Sequence, residues 1–244
     1  MYIASLFNKS GLFQHLEDWR KKSTIEDQQS LEEFLFRATS AYLNLSRMHV
    51  LANICIGQYR KQKEELDLKD QRIVFWSPTL VEFLNEFSPF LSALRIMQNQ
   101  LLSITARAVK LKKSIPLSLA DAMKKLDSYG FGIDITQSIK RYWLSSGETV
   151  RGYRNIDQHY YSIVQHSFLQ VIPEEKSQRR VSFQKERNAL LFFEESFLSL
   201  HNLMESIATV LGFQSALIDQ AIGLAQLGSL QESSLKKSFW LIPD

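Results

Sequence analysis

A chain of 244 residues can bury a substantial core as one large domain or two small ones. Its 45% hydrophobic and 23% charged residues exclude a disordered segment, and a formal net charge of only +3 implies no acidic partner. A single cysteine, Cys55, excludes an intramolecular disulfide and any multi-cysteine metal site.

With nine Gly and five Pro there are few turn signals, and the bias is helical. The first twenty residues suit a short helix ending near Arg20. From Ser30 a long amphipathic pattern runs through Leu31, Phe34, Leu35, Ala38, Tyr42, Leu45, Met48, Ala52, Cys55, Ile56 and Tyr59. Cys55 falls on its apolar face and reads as a small core residue. The pattern fades into the charged run 60–70.

Ser77-Pro78-Thr79 opens the next helix, because proline is tolerated only in the first turn. Ser88-Pro89 predicts a kink or division there. Ser114-Ile115-Pro116 breaks the chain again, a short helix follows through Leu126, and Tyr129–Gly132 reads as a turn. Asp134 is a candidate cap for the helix carrying Ile135, Ile139, Tyr142 and Trp143. Ser145 and Glu148 have capping-box spacing, which predicts a further helix from about Ser146 to Phe168. Residues from about 168 to 183 then read as a small β-hairpin. A last helical region spans about 185–227 with a break near Gly212, and the tail has an apolar end at Phe239–Ile242. The expected fold is all-α, a multi-helix bundle with that hairpin. It is read as a single domain, 1–244, with a subdivision into 1–112 and 113–244 as the alternative. No apolar run has the length of a membrane span, the N-terminus lacks a signal-peptide pattern, and the expected location is cytoplasmic.

Phosphate-cradling glycine loops, His-Glu-x-x-His and Glu-x-x-His pairs are absent from the sequence, so neither a cofactor nor a metal is expected. The adjacent acids Glu32/Glu33, Glu174/Glu175 and Glu194/Glu195 read as solvated. The basic clusters Lys110/Lys112/Lys113, Lys140/Arg141, Arg151/Arg154 and Arg179/Arg180 read as solvated helix ends, unless several converge on a phosphate backbone.

The segment suited to chemistry runs from Tyr153 to His166. On a helix Asn155, His159, Ser162 and His166 share one stripe, and Ile156, Tyr160, Ile163 and Ser167 form an inward-packing neighbour. Arg154 lies five residues before His159 and about 140° round the axis, so it meets that histidine only across a groove. Guanidinium binds phosphate through paired hydrogen bonds, imidazole moves protons near neutrality, and an amide orients either. RNA carries its own nucleophile, the ribose 2′-hydroxyl, so the set suits phosphodiester cleavage without a metal. His166 is a weaker candidate than these.

Arg154, Asn155, three further residues and His159 within a helix resemble the R-x4-6-H signature of the HEPN superfamily. Tyr161 also matches the extended R-x4-H-x-Y form. The resemblance is confined to this motif and its helical setting. It implies a metal-independent ribonuclease whose two motifs meet in a homodimer cleft, serving as a toxin or defence component. It assigns Arg154, Asn155 and His159 as catalytic. It makes Tyr161 a modification site if an antitoxin of the nucleotidyltransferase type is the partner, and RNA the substrate. The alternative is a non-catalytic helical interaction or nucleotide-binding protein with a structural Arg/Asn/His cluster.

Overall fold

The computed structural model describes Phe13, residues 15–66, 76–159 and 189–214, and the backbone of 167–171 and 179–183. Of residues 156–159 and 189 it likewise describes the backbone alone. Its helices are α1 (Leu16–Lys21), α2 (Ile25–Glu65), α3 (Pro78–Asn85), α4 (Phe87–Ala108), α5 (Leu119–Met123), α6 (Ile133–Tyr142), α7 (Glu148–His159) and α8 (Ala189–Val210). Two short strands, β1 (Ser167–Val171) and β2 (Arg179–Phe183), pair antiparallel with Ser167 opposite Phe183.

Helix α2 begins at Ile25, one turn before the predicted Ser30, because Thr24 caps it: the Thr24 hydroxyl accepts from the Asp27 amide at 3.3 Å. Its predicted apolar stripe is the buried one, from Leu31 and Phe34 through Leu45 and Met48 to Cys55 and Ile56. Ser77 caps α3, accepting from the Leu80 amide at 3.1 Å with Pro78 in the first turn. The break assigned to Ser88-Pro89 falls earlier, at Glu86. Pro89 is then the third residue of α4, where its missing amide costs no helical hydrogen bond.

Two capping assignments are corrected. Gly132, at φ 86°, precedes α6, and Asp134 lies inside its first turn. Ser145 makes no capping box, because α6 runs into α7 without a stop, through a wide π turn at Trp143–Gly147. In a continuous helix the Ser145 amide has no orphan neighbours to satisfy; its hydroxyl donates to the Tyr142 carbonyl at 3.1 Å. Gly147 is required there: a Cβ would stand 2.9 Å from the Tyr142 ring and 3.0 Å from that of Trp143.

Helix α2 packs along α4, α7 covers α4, and α8 closes the bundle against α6, α2 and α4. The core sits where these meet, in Phe34, Leu45, Met48, Phe87, Phe90, Leu91, Phe193 and Phe197. Phe193 meets the rings of Phe87 and Phe90 edge-on at 4.8 and 5.1 Å. Each such fully buried side chain contributes about 1.5–3 kcal/mol from desolvation alone. Helix α8 ends as predicted at Gly212, whose φ of 82° lets Gly212 and Phe213 return hydrogen bonds to the last turn. No described helix is long and apolar enough to cross a membrane.

Candidate functional site

Helix α7 carries the predicted site and is anchored from its N-terminal side. Gln98 of α4 donates from Nε2 to the Tyr142 hydroxyl at 2.6 Å and to the Gly147 carbonyl at 3.4 Å, pinning the π turn to the core. Burial pushes the Tyr142 phenol well above its usual range, so it stays a neutral hydrogen-bonding group. From that turn α7 buries Val150 and Tyr153, the latter edge-on to Phe192 at 5.4 Å. The side chains of Ile156, Tyr160 and Ile163, the stripe predicted to pack inward, lie outside the described residues, and its last member, Ser167, lies in β1 and not on this helix.

Arg154 and Asn155 are half-buried. Arg154 lies next to the buried side, and its Nε and Nη1 are shielded from solvent. Asn155 lies about 100° further round the helix, away from the buried side. His159, one turn after Asn155, is the last described residue of α7, and its side chain lies outside the described residues. Tyr161, Ser162 and His166 lie outside them altogether. The structure thus sets Arg154, Asn155 and His159 on one helix, with the backbone separation expected from the sequence. Among the described residues no group of three or more His, Cys, Asp or Glu is placed to hold a metal ion.

Two arginines extend this constellation. Arg151 is one turn before Asn155 and two turns before His159, so it shares their stripe, and Arg154 does not. Arg95 of α4 reaches the same place from the neighbouring helix. It donates from Nη1 to Gln98 Oε1 at 3.2 Å and from Nη2 to Ser118 Oγ at 3.0 Å. Burial lowers the Arg95 pKa most, and the nearby Arg151 and Arg154 guanidiniums lower it further against the opposing pull of Asp121. The i, i+4 spacing of Arg151, Asn155 and His159 was available in the sequence as a signal; the approach of Arg95 was not.

No family model, curated protein or solved structure matches the chain.

The other predicted clusters divide differently. Lys140 pairs with Asp127 at 2.6 Å and Lys113 donates to the Ser128 carbonyl at 3.0 Å, so both serve as solvated local contacts. Glu194 corrects the reading of Glu194/Glu195 as solvated acids: it is 4% exposed, with His49 Nε2 at 2.6 Å, whereas Glu195 is exposed. The His49–Glu194 contact is an ion pair by distance, without the alignment of a hydrogen bond. Two turns on, His201 Nε2 lies 3.7 Å from Glu205, whose other oxygen contacts His15 Nδ1. Phe13 packs edge-on against His201 at 5.1 Å, and burial pulls the His201 pKa down to about 4.

Proposed function

We propose that the chain is a HEPN-like, metal-independent endoribonuclease that acts as a homodimer, in the role of a toxin or defence component. The observation that carries this reading is the placement of Arg154 and Asn155, half-buried on a core-anchored helix whose backbone also carries His159. The 2′-oxygen of a bound ribose attacks phosphorus, and the bond from phosphorus to the 5′-oxygen breaks, leaving a 2′,3′-cyclic phosphate and a 5′-hydroxyl. An imidazole takes the 2′-hydroxyl proton and a second proton goes to the departing 5′-oxygen, a division of labour that two copies of His159 in a dimer cleft would supply. Arg154 binds the negative charge that builds on the phosphoryl oxygens, and Asn155 orients imidazole or phosphate. In the toxin setting, Tyr161 is the residue that an antitoxin of the nucleotidyltransferase type would modify. The test is cleavage of single-stranded RNA in chelator: wild type cleaves, and His159→Ala and Arg154→Ala lose at least about a hundredfold in rate.

A second reading is favoured by a different surface. Helix α2 exposes Phe36, Leu43 and Val50, seven residues apart and 62%, 54% and 58% exposed. Apolar residues at heptad spacing suit packing against another helix, which would make the chain a non-catalytic interaction protein. That reading requires no RNA cleavage by the wild type.

A further inference from the structure

We infer that Arg95, Arg151 and Arg154 form an anion site that holds a phosphate group of a bound nucleic-acid strand beside Asn155 and His159. The choice of RNA as the source of that phosphate rests on the ribonuclease reading; the capture of a phosphate does not.

Two features carry the inference. The first is convergence. Arg151 and Arg154 are three residues apart on α7, about 60° round the axis, and α4 packs against α7 with Gln98, one turn after Arg95, donating to the carbonyl of Gly147, one turn before Arg151, at 3.4 Å. Arg95 comes from α4, near enough to both for their charges to act on its own. Arg95 and Arg151 both stand near Asp121, whose charge acts on each of them. Asp121 is itself held by Lys124 at 2.7 Å. Among the described residues no carboxylate lies within ion-pair distance of Arg95 or Arg151. Like charges gathered at a partly buried point repel, and an arriving dianion or phosphodiester removes that cost.

The second feature is preorganisation. Two of the five guanidinium donors of Arg95 are committed, to Gln98 and Ser118, and Gln98 is itself fixed to Tyr142. The side chain is therefore locked before a ligand arrives, which removes much of the ordering cost of binding. A guanidinium remains charged even where burial lowers its pKa, and its planar fork matches two phosphate oxygens.

The experiment measures binding of a fluorescent single-stranded RNA oligonucleotide by anisotropy, across a salt series, with wild type, Arg151→Gln, Arg95→Gln and Arg95→Lys. Arg151→Gln should weaken binding about five- to tenfold and lower the slope of log affinity against log salt by about one. Arg95→Gln should do the same; if it unfolds, Arg95→Lys keeps the charge, loses the fork and should bind more weakly than wild type. Inorganic phosphate as competitor separates the sources. Displacement only at phosphate concentrations far above that of RNA supports a strand, whereas phosphate binding without RNA binding overturns it. Unchanged affinity and slope in Arg151→Gln overturn the site. If His159→Ala still cleaves while Arg151→Gln loses RNA, the ribonuclease reading fails and the anion site stands. If cleavage needs His159 and Arg151→Gln binds as wild type, the reverse holds.

Discussion

Helices α7 and α8 each carry a row of ionisable side chains, and they treat charge in opposite ways. On α8, Glu194, His201 and Glu205 turn inward among imidazoles: His49 Nε2 stands 2.6 Å from Glu194, and His15 and His201 flank Glu205. On α7, Arg151 and Arg154 meet a third arginine. Groups that the fold neutralises internally are accounted for by the fold, since an unpaired charge in such a place costs several kcal/mol. Among the described residues Arg95 and Arg151 have no carboxylate within ion-pair distance, which stability does not explain, and a bound anion gives these two a reason. The difference separates a structural polar row from a binding one.

That contrast breaks most visibly at His49. His49→Ala leaves the Glu194 carboxylate buried without its partner and should lower stability by about 3 kcal/mol in a urea titration. Replacing both residues by leucine should recover most of the loss. If His49→Ala is no worse than Arg151→Gln, the two rows are not different in kind.

Acid titration gives an effect of similar size. His201 has an ordinary pKa near 6.5 when unfolded and about 4 when folded, so the unfolded chain binds the extra proton between these values. Stability should therefore fall as pH drops from about 6.5 to about 4, by roughly 3 kcal/mol, and level off below. Burial sets most of this drop, the Asn202 hydrogen bond opposes it, the His15 charge adds to it, and Glu205 faces the imidazole at 3.7 Å. His201→Gln should flatten the pH dependence across this window in thermal melts; an undiminished slope would assign it to other groups.

A smaller effect tests the anchoring of α7. Gly147→Ala drives a methyl group to 2.9 Å from the Tyr142 ring and should cost about 1–3 kcal/mol. Because Gln98 links Tyr142 to Arg95, the same substitution should also weaken RNA binding, whereas a loss confined to stability would uncouple the turn from the site.

The sequence made some of this legible and hid the rest for definable reasons. Periodicity located α2 and its buried stripe, because a helix whose one face is covered along most of its length leaves a strong three-to-four spacing. Ser77-Pro78 and Gly212 were legible because caps are local chemistry. Ser145 was misread because its spacing to Glu148 is the same in a capping box and in an uninterrupted helix; only the wide turn over Gly147 distinguishes them. Glu194 read as solvated since an adjacent acid suggested an exposed pair, while its burial depends on His49, 145 positions earlier in the chain. At the candidate site, Arg154, Asn155 and His159 followed from a motif within one helix. Arg95 could not, because its place beside them is a product of how α4 and α7 pack.

If α7 serves phosphodiester cleavage, His159 is needed for it. The most direct measurement is the rate of single-stranded RNA cleavage in chelator by wild type and His159→Ala, with equal folding verified by their melting curves. The account predicts cleavage by wild type, yielding 2′,3′-cyclic phosphate ends, and a loss of at least about a hundredfold in the variant. Equal rates in the two proteins, or no cleavage by either, would contradict it.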